Sequence, residues 1–128
     1  MTTAERHLAI RVILLPKDTN AHGTIFGGVI LSQIDLAGAE EARRWTERAV
    51  VTAAMDAIQF HHPVYVGDVV SFYTTLMKTG RTSITVHVEV EAERWTGTRA
   101  TVKVTEADVV YVAVDHEGKK TTLKAGEP

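Results

Sequence analysis

From Val29 to about Arg44 the sequence reads VILSQIDLAGAEEARR. Its apolar and small residues, Val29, Ile30, Leu31, Ile34, Leu36, Ala37, Gly38, Ala39 and Ala42, fall on nearly every side of a helix. A helix that is apolar all round must be buried. A chain of 128 residues has no large multi-layer core in which to hide it, so the rest of the chain has to wrap it.

The rest of the chain supplies strands. His7 to Leu15 is rich in branched residues and reads as a first strand ending at Pro16. Lys17 to Thr24 is a loop with Asp18, Thr19 and Asn20 as turn formers. After the helix, whose end carries Glu40, Glu41, Arg43 and Arg44 as solvent-facing charges, Val50 to Phe60 is a second strand. Val64 to Asp68 is a connection with a Gly67-Asp68 turn, and Val69 to Lys78 is a third strand. Gly80-Arg81 marks a hairpin. Thr82 to Glu93 alternates, with Ile84, Val86, Val88, Val90 and Ala92 on one face and His87, Glu89, Glu91 and Glu93 on the other, as a half-buried antiparallel strand does. Trp95 to Thr98 turns. Arg99 to Val114 is the last strand, and its apolar parity changes near Glu106, which predicts a bulge. Asp115 to Pro128 reads as a loosely held tail. Strand, long helix, then four strands joined by hairpins predicts an α+β architecture in which a curved sheet of about five strands closes around one helix.

Length fits one domain over 1–128. The net charge of −2 argues against a nucleic-acid surface, which needs a basic patch. There is no Cys, so thiolate chemistry, disulfides and Cys-based metal sites are excluded. No apolar run has the length of a membrane span or the form of a signal peptide. A soluble cytoplasmic protein is the expectation.

Asp35 interrupts the apolar helix between Ile34 and Leu36. None of its helical neighbours, Leu31, Ser32, Gly38 and Ala39, carries a positive charge. A buried carboxylate is costly unless paired or usefully placed. It either bonds a distant backbone N–H or belongs to a reactive site. Gly27 and Gly28 fall where the helix begins. There the first amides lack intrahelical partners, the dipole is positive, and absent side chains let a developing oxyanion approach. The bland reading is a helix start packed tightly on a strand. Gly27 and Asp35 are eight residues apart, about 12 Å along the axis. One chain cannot easily bring both to a single reacting carbonyl. A two-fold dimer can.

These residues carry a resemblance. Asp18-Thr-Asn20, His22-Gly-Thr-Ile-Phe-Gly-Gly28, Ser32-Gln-Ile-Asp35 and Ala37-Gly-Ala39 resemble the signature of YciA-type and brain-type acyl-CoA thioesterases. Phe60, Pro63-Val64, Val66-Gly-Asp68 and Gly80-Arg-Thr-Ser83 resemble that family's later blocks. The likeness runs from about Leu15 to Val114. It implies the hotdog fold and hydrolysis of acyl-CoA to free acid and CoA at a site shared by two subunits. The protein would be a homodimer assembled further into a hexamer, with no cofactor beyond the coenzyme A of the substrate. Asp35 falls on the family's catalytic carboxylate, as base or nucleophile, Asn20 on its loop amide, and Gly27 and Gly28 on the glycines facing the thioester carbonyl. His22, where bacterial YciA-type enzymes often have Asn, and Arg81, Thr82 and Ser83 are the substrate-binding candidates, with Arg81 against a CoA phosphate or simply on a hairpin surface.

Two rivals use the same residues. In a hotdog dehydratase, His22 and Asp35 would act on a hydroxyacyl thioester. A non-catalytic regulator would bind CoA esters and release no thiol. A metal held by His22, His61 and His62 is disfavoured because adjacent strand residues point to opposite faces. Asp56 lines a pocket or marks an edge or a bulge. Trp45 and Trp95 read as sheet cover.

Overall fold

The computed structural model describes residues 5–124. Its elements are β1 (His7–Ile13), a 3-10 turn (Pro16–Asp18), α1 (Gly27–Ala42), β2 (Ala49–Phe60), β3 (Val69–Thr79), β4 (Ser83–Glu93) and β5 (Thr101–Val114). One antiparallel five-stranded sheet in the order β1-β3-β4-β5-β2 packs one face on α1. The alternation of β4 sets that face: Ile84, Val86, Val88, Val90 and Ala92 are fully buried. Burying each of the larger of these side chains stabilises the fold by about 1.5–3 kcal/mol. In β5, consecutive Val104 and Thr105 are both buried, and the register against β4 slips between Val90 and Glu91. The bulge therefore lies at the parity change, slightly before Glu106.

Several expectations need correction. β2 does not form a hairpin with β3. It pairs with β5 at one edge of the sheet, while β3 pairs with β1 and β4. The eight residues between them cross from one sheet edge toward the other. Local patterning cannot separate an edge strand from a central one when both are apolar. What marks β2 as an edge is that Val51 to Ala54 are all exposed.

Nor is α1 buried all round. Ile30, Ile34, Ala37, Gly38, Glu41 and Ala42 form one buried stripe, whereas Leu36 is 59% exposed and Ser32 is exposed. A single sheet covers one side of a cylinder, and the other apolar side of α1 stays open. At its far end Glu41 is fully buried rather than solvent-facing. Its carboxylate accepts hydrogen bonds from His7 Nδ1 at 2.7 Å, Trp45 Nε1 at 2.7 Å and Thr74 Oγ1 at 2.9 Å. Trp45 serves that carboxylate rather than covering the sheet.

The segment after β5 is not loose as far as Lys124. Asp115 Oδ1 accepts the amides of Glu117 and Lys119, Thr121 N–H bonds Ala113 O, and Leu123 N–H bonds Arg81 O. Arg48 donates to the carbonyls of Thr122 and Lys124 at 3.2 Å each. The remainder of the expected tail, 125–128, lies outside the described residues. Among those described, no helix is long and apolar enough to cross a membrane.

Candidate active site

α1 carries two of the four catalytic candidates in its first turn and a third two turns on. Gly27 and Gly28 are its first helical residues, and Phe26 is the N-cap. The entry is pinned by backbone: Ile25 N–H donates to Val64 O and Phe26 N–H to Asp18 O, each at 2.8 Å. The amides of Gly27 and Gly28 point out of the helix start, beyond reach of any helix carbonyl. A Cβ on Gly28 would lie 2.6 Å from the Phe26 ring, whereas one on Gly27 would meet nothing nearer than the Phe60 ring at 3.7 Å. A side chain at Gly28 would therefore have to displace the exposed Phe26 ring, whereas one at Gly27 would make only ordinary contact. Gly27 lines a cavity of ≈ 300 Å³ with Ile30, Phe60, His61, His62 and Pro63.

Asp35 is half-buried rather than fully enclosed, and it is not unpaired. Its Oδ1 accepts a hydrogen bond from Thr52 Oγ1 of β2 at 2.6 Å. Its backbone carbonyl accepts one from Tyr111 Oη of β5, also at 2.6 Å. Tyr111 stands under α1 because position 38 has no side chain: a Cβ there would sit 2.2 Å from the phenol oxygen. Burial, and then the nearby Asp35 charge, push the Tyr111 hydroxyl well above its ordinary pKa, so it remains a donor. The Asp35 turn of the helix is thereby fixed on two strands. Thr52 escaped the sequence reading because a threonine on an exposed strand carries no local signal. Only the β2–β5 pairing places it beneath Asp35.

Asn20 organises its own loop. Its Oδ1 accepts the amides of His22 at 2.8 Å and Thr24 at 3.2 Å, and its Nδ2 donates to Thr24 Oγ1 at 2.9 Å. With Thr19 bridged to Ile25, this loop is tied to the α1 start. Both acceptor directions of the side chain are used, and the second Nδ2–H is the group left to donate. His22 is exposed and its backbone amide is what Asn20 holds.

Arg81 and Thr82 are not with the glycines. They line a second cavity, ≈ 430 Å³, with Lys120, Thr121 and Thr122 of the folded-back segment. Ser83 closes the hairpin, its carbonyl accepting Gly80 N–H at 2.8 Å. β5 separates the two cavities: Val104 borders the first, and Val112 pairs with Ser83 beside the second. That is on the order of 25 Å of strand. Asp35 belongs to the Arg81 end, since Thr52 and Ile84 both pair with Tyr111. The candidate residues therefore fall into two groups: Asn20, Gly27 and Gly28 at one end, Asp35 with Arg81 and Thr82 toward the other. Asp56 lies exposed on the β2 edge where its register slips, away from the Gly27 cavity lining. His62 Nδ1–H donates to Lys103 O at 2.9 Å, and no group of three His, Asp or Glu disposed to hold a metal occurs among the described residues.

Residues 22–95 match the thioesterase superfamily. The chain belongs to this family. A member of the superfamily from Salmonella typhimurium, the acyl-CoA thioester hydrolase YciA, is 42% identical over 125 residues, covering 94% of this chain and 92% of its own. The same superfamily fold recurs in crystal structures. The hexameric hotdog fold thioesterase Cj0915 of Campylobacter jejuni superposes with a TM-score of 0.85 at 44% identity, covering 91% of this chain and 89% of its own. The hexameric thioesterase y2039 from Yersinia pestis gives 0.86 at 43% identity, covering 94% and 97%. The five-stranded sheet on one helix is the hotdog fold.

Proposed function

We propose that this superfamily member hydrolyses acyl-CoA thioesters to a carboxylic acid and free CoA, at a site completed by two copies of the chain. The observation that carries this reading is the arrangement of α1. One helix presents out-facing amides at Gly27 and Gly28 and, about 12 Å further along, a carboxylate oriented by Thr52. Hydrolysis needs both at one carbonyl. Two copies supply them, because β2 offers an open edge and carries both markers on its helix side: Thr52 touches Asp35, and Phe60 lies against Gly27. Antiparallel pairing of two β2 edges about their middle, near Asp56, sets Thr52 of one copy beside Phe60 of the other. It also covers the open face of α1 around Leu36.

In the composite site, a water oxygen attacks the thioester carbonyl carbon while Asp35 takes its proton through Oδ2. Alternatively, Asp35 itself attacks and water cleaves the resulting anhydride. The carbonyl oxygen becomes an oxyanion held by the amides of Gly27 and Gly28 and by the second Nδ2–H of Asn20, all from the other copy. Collapse breaks the C–S bond and expels the CoA thiolate. Arg81 and Lys120, flanked by Thr82, offer charge and hydroxyls to a phosphate at the nucleotide end of CoA. His22 flanks the entry loop. Coenzyme A enters only as part of the substrate, and the reaction calls on no other cofactor. Hexameric relatives support assembly of three such dimers, and an acyl-CoA substrate fits a cytoplasmic setting.

Free thiol released from acyl-CoA by the purified chain tests the reading. Asp35→Asn should keep the fold and lower turnover about 100-fold or more, the scale of a lost general base. Appearance of a conjugated enoyl absorbance without thiol would instead make it a dehydratase. Binding of acyl-CoA with neither product would make it a regulator.

A further inference from the structure

We propose that Arg94, on the β4–β5 hairpin, is a positioning residue that fixes the wall of the Gly27 cavity and, through it, the amides at the α1 start. The wall is the 61–68 connection, and Arg94 holds it at three points. Its Nη1 pairs with Asp68 Oδ2 at 2.5 Å and donates to Pro63 O at 3.1 Å, while its guanidinium carbon stacks 4.7 Å above the Tyr65 ring. Asp68 is only 2% exposed, and the same Oδ2 accepts Tyr65 N–H at 2.9 Å. One guanidinium thus ties both ends of the Pro63–Asp68 turn together.

That turn leads directly to the glycines. Pro63 lines the cavity beside Gly27, and the next carbonyl, Val64 O, receives Ile25 N–H at 2.8 Å, two residues before Gly27. Val64 itself is buried. On the other side Gly67, at φ +90°, packs on Trp95, the neighbour of Arg94. Displacement of the turn therefore moves the backbone that sets where the Gly27 amide points. Donors to a developing oxyanion act only at the right distance, and a shift of about 1 Å can cost up to 100-fold in rate.

This inference rests on the thioesterase reading. Arg94→Ala should lower kcat for acyl-CoA about tenfold or more while KM stays within about twofold, the pattern of an interaction realised only in the transition state. Arg94→Lys keeps a cation for Asp68 but lacks the planar fork that also reaches Pro63 and stacks on Tyr65. It should fall between parent and Arg94→Ala, and it carries the test if Arg94→Ala does not fold. Arg6→Ala is the control. It too removes an arginine–carboxylate pair, with Glu91, and a stacked tyrosine, Tyr73, but away from the cavity, and kcat per folded molecule should be unchanged. A kcat per folded molecule equal to the parent's in the Arg94 variants would overturn the proposal and leave Arg94 a fold staple. Absence of thiol release by the parent chain would instead fail the underlying reading.

Discussion

At the scale of single residues, the informative positions are those whose chemistry and surroundings disagree. Asp35 was visible in the sequence because it breaks an apolar helix, and Gly27 and Gly28 because they stand together at its start. Thr52 and Tyr111, which orient the Asp35 turn, were not visible, since both reach it from strands distant in sequence. Glu41 was misread for the opposite reason. A charged residue near a helix end is normally solvated, but three donors from β1, β3 and the turn after α1 enclose this one. Arg81 gives a prediction of its own. It shares a cavity with Lys120 and three threonines, so a phosphate there would be held equally in ground and transition states. Arg81→Ala should raise KM for acyl-CoA several-fold with kcat nearly unchanged, and leave hydrolysis of an acyl-pantetheine, which lacks the nucleotide, as in the parent. An unchanged KM for acyl-CoA would return Arg81 to the hairpin surface.

Among the elements, the strands and α1 were legible within one or two residues at most ends because their periodicities of two and 3.6 are strong. The order of strands was not, because pairing is set by which faces and edges find partners, information that no single segment carries. The segment after β5 was misjudged because its anchors are backbone bonds to Ala113 and Arg81 and the reach of Arg48, none of which polarity reveals. The buried Glu41 joins α1 to β1 and β3, and this gives stability a pH dependence. Hydrogen bonding to Glu41, with its charge, raises His7 above its ordinary 6.5 despite desolvation. Burial alone would raise Glu41, but the donors Trp45, His7 and Thr74 together outweigh it and hold it below 4.5. A raised histidine contributes fully below its unfolded pKa, and the contribution is lost as pH rises through the folded value. A lowered carboxylate contributes above its unfolded pKa, and that is lost as pH falls through the folded value. Denaturant midpoints should therefore be highest between pH 4.5 and 6.5 and fall on either side. In His7→Gln the decline above pH 6.5 should be smaller. A decline identical to the parent's would remove His7 from the account.

For the whole molecule, the open edge of β2, the uncovered side of α1 and the division of candidate residues between two ends of the sheet all fit the composite site proposed above, in which two chains form the functional unit. The spacing of Gly27 and Asp35 and the family likeness already lead to this proposal from the sequence, whereas the choice of β2 as the joining edge rests on the sheet order, which the sequence did not reveal. Mixing separately inactive Asn20→Ala and Asp35→Ala chains under conditions of subunit exchange measures it most directly. Each mixed dimer would hold one site with both residues intact and one with neither. Thiol release from acyl-CoA should therefore return to roughly a quarter of the parent's, since about half the dimers are mixed and each has one working site. No recovery, with mixed dimers demonstrated in the same sample, would place Asn20 and Asp35 of a single chain at one site and contradict the composite account.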